Sequence, residues 1–285
     1  MKTNHDCVAC IIRQALDAVR QVTEDEQIIE SVLRSALKTA AEIDYNQTPV
    51  EIGRIIHRKI REETGNPDPY LEIKNKANRA AKGLMPLIKK KVKWSPCPFV
   101  TAVRYAIAGN ILDFALYTNW DNSRFRKSLG EAETKEIDTM KLQELDSKVK
   151  KAKSILLIGD NAGEVVFDKI LLEQMPAEKL YYAVKGEPVI NDVLLADAIF
   201  AGIDEVAEII SNGTDSAGTL LSACSQEFLD VFNSVELVIA KGQGNFESLN
   251  ECGREVYFLT QIKCKIIARD LNGAVGDWVV ASNMK

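Results

Sequence analysis

Beyond Lys153 the chain changes from helical periodicity to short β-type runs separated by helix-length segments, and this alternation restricts the fold more than any other feature. Apolar runs occur at residues 154–158, 180–184, 208–210 and 237–240. Between them, residues 164–175, 192–201 and 219–232 are long enough for helices. Strands joined by such crossovers run parallel, with helices covering both faces of their sheet. Residues 256–259 and 265–268 read as further strands, and 278–281 as an edge strand. The expected class is α/β. A Rossmann-like three-layer α/β/α domain with a mainly parallel sheet is expected over residues 153–285, preceded by an all-helical part over residues 1–152.

The first part carries helix punctuation. In Thr48-Pro49-Val50-Glu51 the threonine suits an N-cap, the proline the first helical position and the glutamate a capping box. Ile52, Ile55, Ile56 and Ile60 then form one apolar stripe. Asn66-Pro67-Asp68-Pro69 breaks the chain before a long helix from about Tyr70, which Pro86 should kink or split. An apolar helix is expected over 98–116, and a charged connector over 121–153.

With 285 residues the chain can bury a substantial core without disulfide staples. A net charge of −5 gives no bulk attraction to nucleic acid. No run of about 18 apolar residues is present, nor an apolar signal-peptide core. The expectation is a soluble, cytoplasmic protein with reduced thiols and no nucleic-acid or membrane partner. The sequence carries no signal for its oligomeric state.

The strand ends are unusually polar. The first ends in Gly159-Asp160-Asn161, and the second in Lys185-Gly186-Glu187-Pro188, followed by Asn191-Asp192. The third ends in Ser211-Asn212-Gly213-Thr214-Asp215 and the fourth in Lys241-Gly242-Gln243-Gly244-Asn245. In a parallel sheet these ends share one edge, where ligands of open α/β sheets gather. Asp160, Asn161 and Asp192 offer hard oxygen donors suited to Mg²⁺ or Mn²⁺. The only histidines, His5 and His57, lie in the helical part, which excludes a histidine-rich zinc site in the sheet half. Lys185 and Lys241 can neutralise an anion. The glycine-rich turns make Gly213, Thr214, Gly242 and Asn245 candidate phosphate contacts. Taken singly, Asp160, Asn161 and Asp192 also read as helix N-caps, and the lysines as solvated side chains.

Three strings then carry a resemblance: GDNAGEVVFD from Gly159, VKGEPVINDVLLADA from Val184 and KGQGNFESL from Lys241. They resemble the DUF89, or ARMT1-like, family of metal-dependent phosphatases. Cys7-Val8-Ala9-Cys10, PDPYLEIKNKAN from Pro67 and AIAGNILDF from Ala106 are similar to its compact prokaryotic-type members. The resemblance implies a divalent cation between the helical part and the sheet, held by Asp160, Asn161 and Asp192, with Lys241 as the basic active-site lysine. Manganese or magnesium is the expected metal, with cobalt and nickel as further candidates. It implies hydrolysis of a small phosphorylated metabolite, such as a sugar phosphate, with a damage-control role. Asn110 and Asp113, three apart on an apolar helix, share one face. The resemblance places them at the cleft, positioning substrate or water; otherwise they form a buried hydrogen-bonded pair. Some eukaryotic relatives were labelled carboxyl methyltransferases, so an S-adenosylmethionine-dependent methyltransferase stays an alternative, as does a non-catalytic metal-binding protein. The first turn, Gly159-Asp160-Asn161-Ala162-Gly163, lacks dinucleotide-loop spacing.

Cys7 and Cys10 form a CxxC, half of a typical zinc site, and Cys97 lies in Ser95-Pro96-Cys97-Pro98. A second metal site using Cys7, Cys10 and Cys97 is one expectation. Two buried thiols at a helix start are the other.

Overall fold

The computed structural model describes residues 1–110 and 129–284. Five helices come first: α1 (His5–Arg20), α2 (Glu26–Ala41), α3 (Pro49–Thr64), α4 (Leu71–Lys93) and α5 (Pro98–Gly109). The capping box at α3 forms as its sequence requires, with Thr48 and Glu51 exchanging side-chain and backbone bonds. Pro86 does not split α4, which stays continuous around it. The residue is exposed, so water can take over the carbonyl that its missing N–H leaves unpaired.

After α6 (Thr139–Lys151), the chain alternates through β1 (Ser154–Ile158), α7 (Val165–Leu172), β2 (Lys179–Val184), α8 (Leu195–Ala201) and β3 (Glu208–Ser211). It continues through α9 (Gln226–Ser234), β4 (Leu237–Lys241), α10 (Gln243–Leu249), β5 (Tyr257–Gln261), α11 (Lys265–Asp270) and β6 (Trp278–Ser282). The run at residues 265–268, expected as a strand, is α11. Ile266 and Ile267 are both buried there, which successive residues of a strand with one exposed face would not be. The expected helix at 219–232 shrinks to α9.

The sheet order is β3-β2-β1-β4-β5-β6, with only β6 antiparallel. Alternation in the strands divides the core. Ile155, Leu157, Tyr182 and Ile239 face a cluster built with α4 to α8, while Leu156, Ile158, Val238 and Phe258 face α9 to α11. Packing crosses residue 152, because α4 to α6 form part of one sheet layer. The first three helices have a separate core of Ile11, Val19, Val32, Ile52, Ile56 and Ile60. No helix among the described residues is long and apolar enough to cross a membrane.

Two features place α1 to α3 over the C-terminal edge of the sheet. The order reverses between β1 and β4, which opens a crevice at that edge. Arg54, Arg58 and Arg61 of α3 also converge on Asp215, just beyond β3, at 2.5, 2.6 and 2.7 Å. The Asp215 side chain is 1% exposed.

Candidate active site and metal centre

Register brings the polar strand ends level. Ile158 pairs with Ala183 on one side and Ala240 on the other, so Asp160 emerges level with Lys185 and Gly242. Asn161 and Asp192 form an isolated antiparallel bridge, and the Val193 N–H donates to the Asp160 carbonyl at 2.8 Å. Bridged residues send their side chains to the same side. Asp160, Asn161 and Asp192 together line one cleft of about 270 Å³, whose other wall comes from α1, α3 and the start of α11. Gly242 allows this approach. Its φ is +78°, and a Cβ there would lie 1.9 Å from Asp160 Oδ2.

Behind the cleft lies a buried polar network. Every residue of α7 is buried, so the charged groups on it must find partners. Glu164, at its N-cap, and Asp168, one turn on, share a face. Lys241 meets both, donating to Glu164, to Asp168 Oδ1 at 2.6 Å and to the Ala106 carbonyl at 3.0 Å. Those bonds use all the donors of an ammonium. Tyr182 OH donates to Asp168 at 2.8 Å. Asn110, the C-cap of α5, donates through Nδ2 to Asp160 Oδ2 at 2.7 Å and to Glu164 at 2.9 Å. Asn161 Nδ2 donates to the same carboxylates at 2.7 and 3.2 Å, leaving its carbonyl oxygen as the amide atom to offer a cation.

Asp160, Glu164, Asp168 and Asp192 gather four carboxylates, all at most 7% exposed, around the ammoniums of Lys185 and Lys241. Burial raises the carboxyl of Asp168, with Lys241 opposing and Glu164 adding to the rise. Burial works against the Lys241 ammonium, but Asp168 and Glu164 outweigh it and hold its pKa high. No group of three His, Cys, Asp or Glu side chains among the described residues has the form of a metal site. The available set is two carboxylates plus the Asn161 amide, which suits a hard cation that keeps waters.

The remaining sequence expectations fall in different places. Lys185 lies behind Asp192, with Nζ 2.7 Å from the Gly218 carbonyl and 3.3 Å from Asp192 Oδ2. The Gly213 and Thr214 N–H groups are engaged by Ser211 Oγ and Asn212 Oδ1. The Gly242 N–H is engaged by the Leu259 carbonyl. Asn245 braces Gly159 and Lys241 and accepts from Thr219. These residues support the edge, and none lines the cleft. Asp113 lies outside the described residues. Cys7 and Cys10 line the cleft with Cys264, whereas Cys97 is the N-cap of α5 and is not brought to them.

Sequence reasoning passed over Glu164 and Asp168, although two carboxylates four apart on an otherwise apolar helix signal buried pairing. It also passed over His57, which α3 carries into the cleft lining. Asn78, from the PDPYLEIKNKAN string, accepts from the Gly163 N–H at 2.6 Å and donates to Asp197 at 2.6 Å, bracing the Asp-Asn turn.

A mostly parallel α/β sheet with an acidic, oxygen-lined crevice at its switch point defines a class of small-molecule enzyme sites, and comparison with known proteins narrows it. The family model described as "Damage-control phosphatase ARMT1-like domain" matches residues 3–279, and the chain belongs to this family. A damage-control phosphatase of Pyrococcus horikoshii is 35% identical, with 99% of each chain covered. One of Archaeoglobus fulgidus is 32% identical, with 98% of each covered. The crystal structure of a DUF89 family protein from Pyrococcus horikoshii superposes with a TM-score of 0.89 at 33% identity over 99% of each chain.

Proposed function

We propose that this protein is a divalent-metal-dependent phosphomonoesterase that removes phosphate from a small metabolite as a damage-control step. The observation that carries the reading is the cluster of buried oxygen donors that brings Asp160, Asn161 and Asp192 into one cleft, in a chain whose relatives are named damage-control phosphatases. Asp160, Asn161 and Asp192 would hold Mn²⁺ or Mg²⁺, with Co²⁺ and Ni²⁺ able to replace them. Such an ion, when bound, polarises a phosphoryl oxygen and lowers the pKa of a bound water.

The chain's own groups preorganise that corner. Asn110 and Asn161 hold Asp160 and Glu164 in one geometry, and Lys241 fixes Glu164 from behind. Lys185 plays the same part for Asp192. In the reaction the oxygen of water bonds to phosphorus, the ester P–O bond breaks, and the departing alkoxide takes up a proton. The six cysteines are free thiols, which suits a reducing, cytoplasmic setting.

Methyl transfer is less well supported. Dinucleotide-type folds place an acid after the second strand to hold ribose hydroxyls. Here Lys185 stands there and is bonded to Asp192.

The test measures Mn²⁺ binding by calorimetry and phosphate release from a panel of monoesters, for the wild-type protein and Asp192→Asn. The wild type should bind about one ion and release phosphate only with a divalent ion present, and the variant should lose both. Release that survives exhaustive chelation would overturn the metal assignment.

A further inference from the structure

We infer that His57 is a specificity-determining residue, which hydrogen-bonds a hydroxyl of the substrate's leaving group while the phosphate lies at the metal corner. This inference rests on the phosphatase reading and deepens it.

Helix α3 presents three stripes. Ile52, Ile56 and Ile60 enter the α1–α3 core, and Arg54, Arg58 and Arg61 reach Asp215. Val50, Gly53 and His57, spaced three and four apart, form the stripe that lines the cleft shared with Asp160, Asn161 and Asp192. Glycine within a helix is destabilising relative to alanine. Neither a positive φ nor a tight neighbour requires Gly53, since a Cβ there would meet nothing within 4 Å. The wall is therefore open one turn before His57, which leaves room for a ligand beside the imidazole.

His57 is 5% exposed, yet among the described residues no hydrogen bond reaches its ring. Its nitrogens are not among the described polar atoms sealed off without a partner, so they open on the cleft that the residue lines. A polar group buried in this state gains from a ligand that bonds it. Burial, with Arg61 adding to it, pushes the pKa down to about 4, so the ring is neutral at pH 7. It is then no general acid at neutral pH. A neutral imidazole carries one donor nitrogen and one acceptor nitrogen. A hydroxyl complements either, whereas an ionised phosphoryl group offers acceptors only and belongs with the proposed cation. His57 thus reads the leaving group and not the phosphate.

The test measures kcat/KM with Mn²⁺ on three pairs of primary esters: sn-glycerol 3-phosphate with n-propyl phosphate, ribose 5-phosphate with n-pentyl phosphate, and glucose 6-phosphate with n-hexyl phosphate. Each pair shares its carbon count and a primary alkoxide leaving group, so the ratio within a pair reads hydroxyl recognition. In the wild type at least one hydroxylated ester should exceed its alkyl partner. His57→Leu should lower that ratio roughly tenfold, chiefly through KM, as expected for one lost hydrogen bond. His57→Gln keeps a donor and an acceptor and should restore most of the ratio. Mn²⁺ binding by calorimetry on the same preparations shows that the cleft is folded, and a ratio is insensitive to partial loss of folded protein. A ratio that survives in His57→Leu, or falls equally in His57→Gln, would overturn this inference and leave the phosphatase reading standing. So would a wild-type preference for the alkyl ester in all three pairs. No phosphate release from any of these esters, or from p-nitrophenyl phosphate, with any divalent ion would remove both.

Discussion

Lys241 Nζ lies 2.6 Å from Asp168 Oδ1, with both side chains fully shielded from solvent. The lysine closes β4 and the aspartate sits within α7, so the pair ties the sheet to the helix that follows the Asp-Asn turn. Removing one partner of such a pair leaves a bare buried charge, the expensive case. Lys241→Met should cost about 3–5 kcal/mol of unfolding free energy, measured by urea denaturation. Asp168→Asn keeps an acceptor for Tyr182 and should cost less than half as much. Equal losses in the two variants would mean that the network is held by packing rather than by charge.

Gly242 tests the geometry of the proposed metal corner directly. Alanine there would place its Cβ 1.9 Å from Asp160 Oδ2 and occupy a φ of +78°. The backbone strain should cost about 1–2 kcal/mol. The displaced carboxylate should weaken Mn²⁺ binding by roughly 10–100-fold, the range for a disturbed ligand shell. Calorimetry that finds unchanged Mn²⁺ affinity in a folded Gly242→Ala protein would remove Asp160 from the ligand set.

What could be read from the chain, and what could not, follows from the range of the forces involved. β1, β2, β3 and β4 were legible because each is a short run with an apolar centre, ended by glycine or polar residues. The convergence of Asp160, Asn161 and Asp192 followed from parallel topology alone. The 265–270 segment was misread because four apolar-rich residues are too few to separate period 2 from period 3.6. Gly213 and Thr214 looked open to phosphate because a glycine-rich turn was judged apart from its neighbours. Ser211 and Asn212 are the residue types that bond a nearby backbone, and they satisfy these N–H groups first. The buried lock on Lys241 required knowing that α7 lies against β4. His57 reaches the cleft only because α3 folds over the sheet edge, a long-range contact without local signature.

His57 has a consequence for acid stability. Burial, with Arg61 adding to it, pushes its pKa down to about 4 from an ordinary value of 6.5. Above pH 6.5 both folded and unfolded chains carry a neutral imidazole, and the residue adds no pH dependence. Between pH 6.5 and 4 only the unfolded chain takes up the proton, so stability falls as pH falls. The full loss approaches about 3 kcal/mol. His57→Gln should remove this component, so that the gap in unfolding free energy between variant and wild type shifts in the variant's favour from pH 7 to pH 4.5. A gap that stays constant over that range would show that His57 ionises as readily in the fold as outside it.

Asp215 holds the helical wall over the cleft, and its loss should register there rather than in the sheet. Burial opposes its ionisation, but hydrogen bonds from Arg58, Arg54 and Arg61 outweigh burial and hold its carboxyl well below the usual carboxylate range. The arginine side chains remain 16–49% exposed, so solvent can take over part of what the carboxylate gives them. Asp215→Asn should therefore cost about 1–3 kcal/mol, less than loss of a wholly buried pair. The Arg61 bond to the Pro188 carbonyl at 2.6 Å persists in the variant and keeps α3 near the loop that carries Asp192. The result should be a looser cleft rather than an unfolded one. Amide exchange in α3 should quicken while that of β1 and β4 is unchanged, and KM should rise more than kcat falls. Uniform acceleration of exchange through α3 and the sheet would show instead that Asp215 stabilises the whole fold and has no particular hold on the cleft.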